Sequence, residues 1–131
     1  MYYVYKDFPI VQLHPQAHIA AEAAECAGEQ GEYWRMHRTL FTAPSEWDTT
    51  EEAARAAFTR YAADLGLDRA RFDSCMAGGG YQPDILANMA EGRRLGVTGT
   101  PAFIVNGKIM AGAQGTEVFR RVLDRELNQE P

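Results

Sequence analysis

The chain has 131 residues, 46% of them hydrophobic and 24% charged, with a formal net charge of -5. That is the make-up of one ordinary globular domain. The acidic balance, without any block of like charges, argues against nucleic acid and anionic membranes as partners, and no apolar run approaches the roughly 18 residues of a membrane-spanning helix.

Residues 2–8 are rich in aromatics and read as a strand ended by Pro9. Met1 leads straight into that strand, so no signal peptide is expected in this chain. Residues 10–14 read as a loop, and Pro15 suits the first turn of a helix over 16–27. Ile19, Ala23, Cys26 and Ala27 share one face of that helix, and Gly28 and Gly31 end it. A second helix spans 32–41, with Tyr33, Met36, His37 and Leu40 on one side. Residues 42–48 read as loop. Thr49, with Glu52 three residues on, has the spacing of a capping box, and the helix it opens carries Ala54, Ala57, Phe58, Tyr61 and Leu65. Gly66 stops it. Asp68 is the N-cap of a shorter helix with Phe72, Cys75 and Met76 on one face, ended by Gly78-Gly79-Gly80. Pro83 opens another helix, with Ile85, Leu86, Met89 and Ala90 apolar, that finishes near Gly96.

The run from Gly96 to Gly107 is the most informative stretch. Gly96 suits a helix C′ position, Thr100-Pro101 precedes a short apolar run at 102–105, and Asn106-Gly107 makes a two-residue hairpin into 108–111. A proline directly before a strand is where a cis peptide bond fixes a turn. The last helix covers 116–127, with Phe119, Leu123 and Leu127 at i, i+4 and i+8, and 128–131 read as a frayed tail. The pattern is one strand, a block of about five helices, a hairpin and a final helix.

Few residues carry obvious chemistry. Cys26 and Cys75 each fall late in a helix, where the dipole disfavours a thiolate, so they read as buried thiols or as a structural bridge rather than as nucleophiles. His14 and His18 are four apart, but His14 precedes Pro15 outside the helix and no third ligand stands at metal spacing, so no metal is expected. His37 reads as a packing residue. No cofactor motif is present.

Gly96-Val97-Thr98-Gly99-Thr100-Pro101 resembles the cis-proline loop of thioredoxin-fold proteins, in the form found in the DsbA-like family. Three further stretches resemble that family in order and spacing: Tyr5-Lys6-Asp7-Phe8-Pro9; Leu13-His14-Pro15-Gln16-Ala17 with the helix behind it and Gln30-Gly31-Glu32-Tyr33-Trp34; and Arg71-Phe72-Asp73-Ser74-Cys75. The resemblance implies an α/β, incomplete thioredoxin-like fold. It would be a single domain with a sheet of about three strands, a core from 1–9 and 96–131, and a helical insertion over 15–95. It also implies a periplasmic thiol–disulfide oxidoreductase acting on extended peptide or protein thiol substrates. Gly99, Thr100 and Pro101 would dock the substrate backbone, and Cys26–Cys75 would form a structural disulfide of the kind some members carry.

One departure stands against that reading. The family opens with a strand and a helix bearing Cys-x-x-Cys, and no residue here matches either. No catalytic residue is therefore carried over. The chain reads either as a truncated oxidoreductase, not redox-active as it stands, or as a non-catalytic peptide- or partner-binding module using the proline loop. A missing central strand also leaves sheet edges open, which leads to the expectation of a homodimer.

Overall fold

Glycines and caps set the helix boundaries in the computed structural model, which describes residues 1–129. The elements are α1 (Ala17–Gly28), α2 (Tyr33–Thr42), α3 (Pro44–Trp47), α4 (Glu51–Asp64), α5 (Arg69–Gly78), α6 (Gln82–Arg94), β1 (Ala102–Val105), β2 (Lys108–Ala111) and α7 (Thr116–Leu127). Thr50 caps α4 by accepting from the Ala53 N–H at 3.2 Å, and Asp68 caps α5 by accepting from the Arg71 N–H at 2.9 Å. The cap of α4 is thus Thr50, one residue later than the Thr49–Glu52 spacing indicates. Residues 42–48 are not wholly loop: Pro44 starts the short helix α3, where its missing N–H costs nothing.

Two compact units make up the chain, Met1–Met89 and the part from Ala90 onward. The first is a helical cluster. Alanines 20, 23, 24 and 27 on α1 are buried with Ile19 and Cys26, and small side chains let α2, α4 and α5 approach closely. Phe58, Phe72 and Met36 fill the space between them and are at most 1% exposed. Fully burying such side chains contributes about 1.5–3 kcal/mol each. The Trp47 indole seals one end, donating to the Leu40 carbonyl at 3.0 Å.

Residues 2–8 form no strand, contrary to the sequence reading, and among the described residues the sheet has two strands rather than about three. Aromatic content makes a segment fit for a strand, but only a ladder makes it one. Tyr2, Tyr3 and Val4 stay 91%, 64% and 53% exposed, while Asp7 and Pro9 are buried.

The second unit holds the hairpin and α7. Asn106 (φ 46°) and Gly107 (φ 80°) occupy the left-handed conformations a tight two-residue turn demands. The register pairs Ala102 with Ala111, Phe103 with Met110, Ile104 with Ile109 and Val105 with Lys108. Phe103 stacks edge-on against Phe119 of α7, with centroids 4.6 Å apart. Glu126, 8% exposed, takes the Lys108 ammonium at 2.7 Å and the Asn106 amide at 3.4 Å, tying α7 to the turn. The Lys108 contact holds its carboxyl below the usual range. Among the described residues, no apolar side chain beyond Ile85 is fully buried, and Leu127, expected on the apolar face of α7, is 55% exposed. Of the 128–131 tail, Glu130 and Pro131 lie outside the described residues.

Candidate functional site

The loop after α6 is built by its glycine. Gly96 sits at φ 93°, and the chain closes the helix with Gly96 N–H to Arg93 O at 3.1 Å and Val97 N–H to Gly92 O at 2.9 Å. Thr98, Thr100 and Pro101 are exposed beyond it, and Gly99 is half-buried. The Thr100–Pro101 peptide is cis. Gly112 N–H donates to the Pro101 carbonyl at 2.8 Å, which carries the hairpin ladder one step past β1.

These residues surround an open cleft of about 180 Å³. Its other walls are Ile109, Ala111 and Gly112, which sequence reading did not single out. The signal was present in the hairpin register, since Ala111 stands opposite Ala102 and Gly112 follows it. Among the described residues, no ionisable side chain lines the cleft. Its walls are backbone, hydroxyls and small apolar groups.

The ladder also fixes what β1 offers on its far side. Pro101–Gly112 is a bonded pair, and alternation makes Phe103–Met110 and Val105–Lys108 bonded pairs too. The N–H and C=O groups of Ala102 and Ile104 therefore point away from β2, and Ile104 is 41% exposed. Together, loop and strand edge present an extended backbone beside a shallow uncharged cleft. Such a surface binds another extended chain by main-chain hydrogen bonds. Among the described residues it holds no acid, base or thiol.

Both cysteines lie elsewhere, in the helical unit. Cys26 and Cys75 are bridged, with Cα atoms 5.8 Å apart and 49 residues between them in sequence. Cys26 is 1% exposed. Neither thiol is free. His14 lies before α1 and meets the Asp48 carboxylate, so it does not share a helix face with His18. His37 packs edge-on against Tyr5 at 4.6 Å and beside Phe41 at 4.9 Å, and burial lowers its pKa.

Comparison with known proteins covers nearly the whole chain. A family described as thioredoxin matches residues 1–125. A crystal structure of a thioredoxin-like oxidoreductase from Silicibacter pomeroyi superimposes with a TM-score of 0.77 at 27% identity, covering 97% of this chain and 69% of that one. Curated relatives include Na(+)/H(+) antiporter NhaA 3 of Salinispora tropica, 36% identical over 117 residues, and NhaA of Herminiimonas arsenicoxydans, 30% identical over 122. The chain spans 17% and 18% of those proteins' lengths, so the likeness concerns one segment of each. Among the described residues, no helix here is long and apolar enough to cross a membrane.

Proposed function

This chain belongs to the thioredoxin family and is DsbA-like, and from that premise we propose that it docks extended polypeptide thiol substrates through Gly99, Thr100 and Pro101 as part of a thiol–disulfide oxidoreductase. The observation that carries the reading is the exposed cis-proline loop continuing into the open edge of β1. Residues 1–131 bring no dithiol to that loop, since their two cysteines bridge α1 to α5. By itself, then, the chain binds but does not exchange disulfides, and a Cys-x-x-Cys element supplied in cis or in trans completes the chemistry. The Cys26–Cys75 bridge also fits an oxidising, extracytoplasmic setting.

A second reading, a binding module that never acquires a dithiol, is favoured by the lining of the cleft, which contains nothing that needs a redox partner. Either way, the open β1 edge and the half-buried apolar side chains of β1 and α7 favour pairing of two copies.

The test is an NMR titration of the chain with an extended cysteine-containing peptide. The expected shifts fall on the amides of Thr98 to Ala102 and Ile104, and Ile109→Glu, which places a charge in an uncharged cleft, weakens them. Shifts confined to the helical unit would overturn the docking site. Insulin reduction by the chain alone is expected at background, and turnover there would refute the division of labour. Appearance of activity on adding a Cys-x-x-Cys fragment separates the first reading from the second.

A further inference from the structure

The hairpin of β1 and β2 has two unlike faces. Phe103, Val105, Lys108 and Met110 share one, and α7 meets it through the Phe103–Phe119 ring contact and the Lys108–Glu126 ion pair. Ala102, Ile104, Ile109 and Ala111 share the other. On that face Ile104 and Ile109 stay 41% and 45% exposed, and Ala111 is exposed as well. Ile104 and Ile109 stand opposite each other in a non-bonded pair, the kind in which Cα atoms approach to about 4.5 Å, so their side chains make one continuous apolar patch.

The cleft beside the proline loop lies on this second face. Ala102, Ile109 and Ala111 are among its walls, whereas Phe103 and Met110 are not. The loop closes on it from the other side: a Cβ on Gly96 would stand 3.9 Å from Ile109 Cδ1. Ala102 and Ala111 face each other across the ladder, and their small side chains leave the space open. Pockets that hold a whole small molecule run to roughly 300–1,000 Å³. At about 180 Å³ the cleft suits a single side chain.

Strand geometry dictates which side chains arrive there. A chain added to the free edge of β1 hydrogen-bonds to Ala102 and Ile104. In a sheet, directly opposite residues turn their side chains to the same face, whichever way the added strand runs. The residues opposite Ile104 and Ala102 are two apart in the added chain, so both of their side chains come down on the uncovered face. The first lies against Ile104. The second reaches over the small Ala102 into the cleft, toward Ala111 and Ile109. The residue between them turns to the α7 side. A charged side chain at either position would give up water with no partner to replace it, whereas an aliphatic one covers apolar surface.

We propose that the uncovered face of the hairpin sets the sequence preference of the docked polypeptide, selecting aliphatic side chains at two positions two residues apart, one against Ile104 and one in the cleft. This preference presupposes docking of an extended chain at Gly99, Thr100 and Pro101, and it narrows the substrate class to segments with alternating aliphatic side chains.

The probes are short Ser/Thr peptides with one S-methylated cysteine, carrying two leucines spaced i, i+2, two leucines spaced i, i+3, or none, each titrated into the chain and followed by NMR. The i, i+2 pair is expected to bind about tenfold tighter than the i, i+3 pair of the same composition, with shifts at the methyl groups of Ile104 and Ile109. Aspartate in place of either leucine is expected to remove that gain. Ala111→Leu, which fills the cleft from β2, is expected to abolish the preference while the leucine-free peptide still shifts the amides of Thr98 to Ala102. Equal binding of the two spacings, or a preference that survives Ala111→Leu, would overturn the selection and leave the docking site standing. Binding by none of the peptides would overturn the docking site and the selection together. Shifts of Ile104 and Ile109 that follow protein concentration and that no peptide displaces would give the face to a second copy of the chain and overturn the selection.

Discussion

Replacing Asp7 by asparagine is expected to stabilise the protein at neutral pH. Asp7 is buried, and loss of solvation, followed by the nearby Glu25 charge, raises its pKa from 3.8 to about 6. A carboxyl whose folded-state pKa lies above its unfolded one binds its proton more tightly when folded. Stability from this group is therefore full below about pH 4 and is lost as pH rises through about 6. The rise of some two units, at 1.36 kcal/mol each, comes to about 3 kcal/mol at pH 7.5, less whatever the residual water contact relieves. Asparagine has a similar shape and cannot ionise. In urea unfolding, Asp7→Asn is thus expected to exceed the natural chain by up to about 3 kcal/mol at pH 7.5, with the two converging near pH 3.5. Glu25, raised in the same direction by burial and by Asp84, leaves a smaller slope of the same sign in the variant. If Asp7→Asn is less stable at pH 7.5, or if the gap does not close in acid, Asp7 has a partner that satisfies its charge and the reasoning fails.

Reducing the Cys26–Cys75 bridge, or replacing both cysteines with alanine, frees a loop of 49 residues' separation and is expected to cost about 4 kcal/mol, read as a lower urea midpoint; a loss under about 1 kcal/mol would show that the unfolded chain is not much constrained by it. Thr50→Ala removes the acceptor for the Ala53 N–H and is expected to cost about 1 kcal/mol, whereas Thr49→Ala, outside the cap, is expected to be near neutral; the reverse order would place the cap where the sequence spacing suggested. Light scattering at micromolar concentration is expected to give twice the monomer mass, and a monomer would remove the β1 edge as a pairing surface.

The hairpin and its proline loop were legible in the sequence because their determinants are local. Asn106-Gly107 takes positive φ, Gly96 ends a helix, and Thr100-Pro101 stands directly before an apolar run, so each residue dictates its own backbone. The family resemblance rested on those residues together with three further stretches, whereas the cleft walls Ile109, Ala111 and Gly112 came only with the folded hairpin. The Asp68 cap was legible for the same reason, whereas Thr49 and Thr50 are alike in type and only the path of the chain chose between them. Residues 2–8 misled because strand character belongs to a pair of segments, and no composition supplies the second one. Glu51 and Asp73 stand four residues from Arg55 and Arg69, so their ion pairs follow from the sequence once the helices are placed, whereas no such spacing tells what surrounds Asp7 and Glu22. Asp7 and Glu22 are buried at 7% and 4% exposure only because the tertiary structure packs other segments over them. Whether a carboxylate is a solvated surface charge or a buried one depends on what packing brings against it, and that the tertiary structure alone decides.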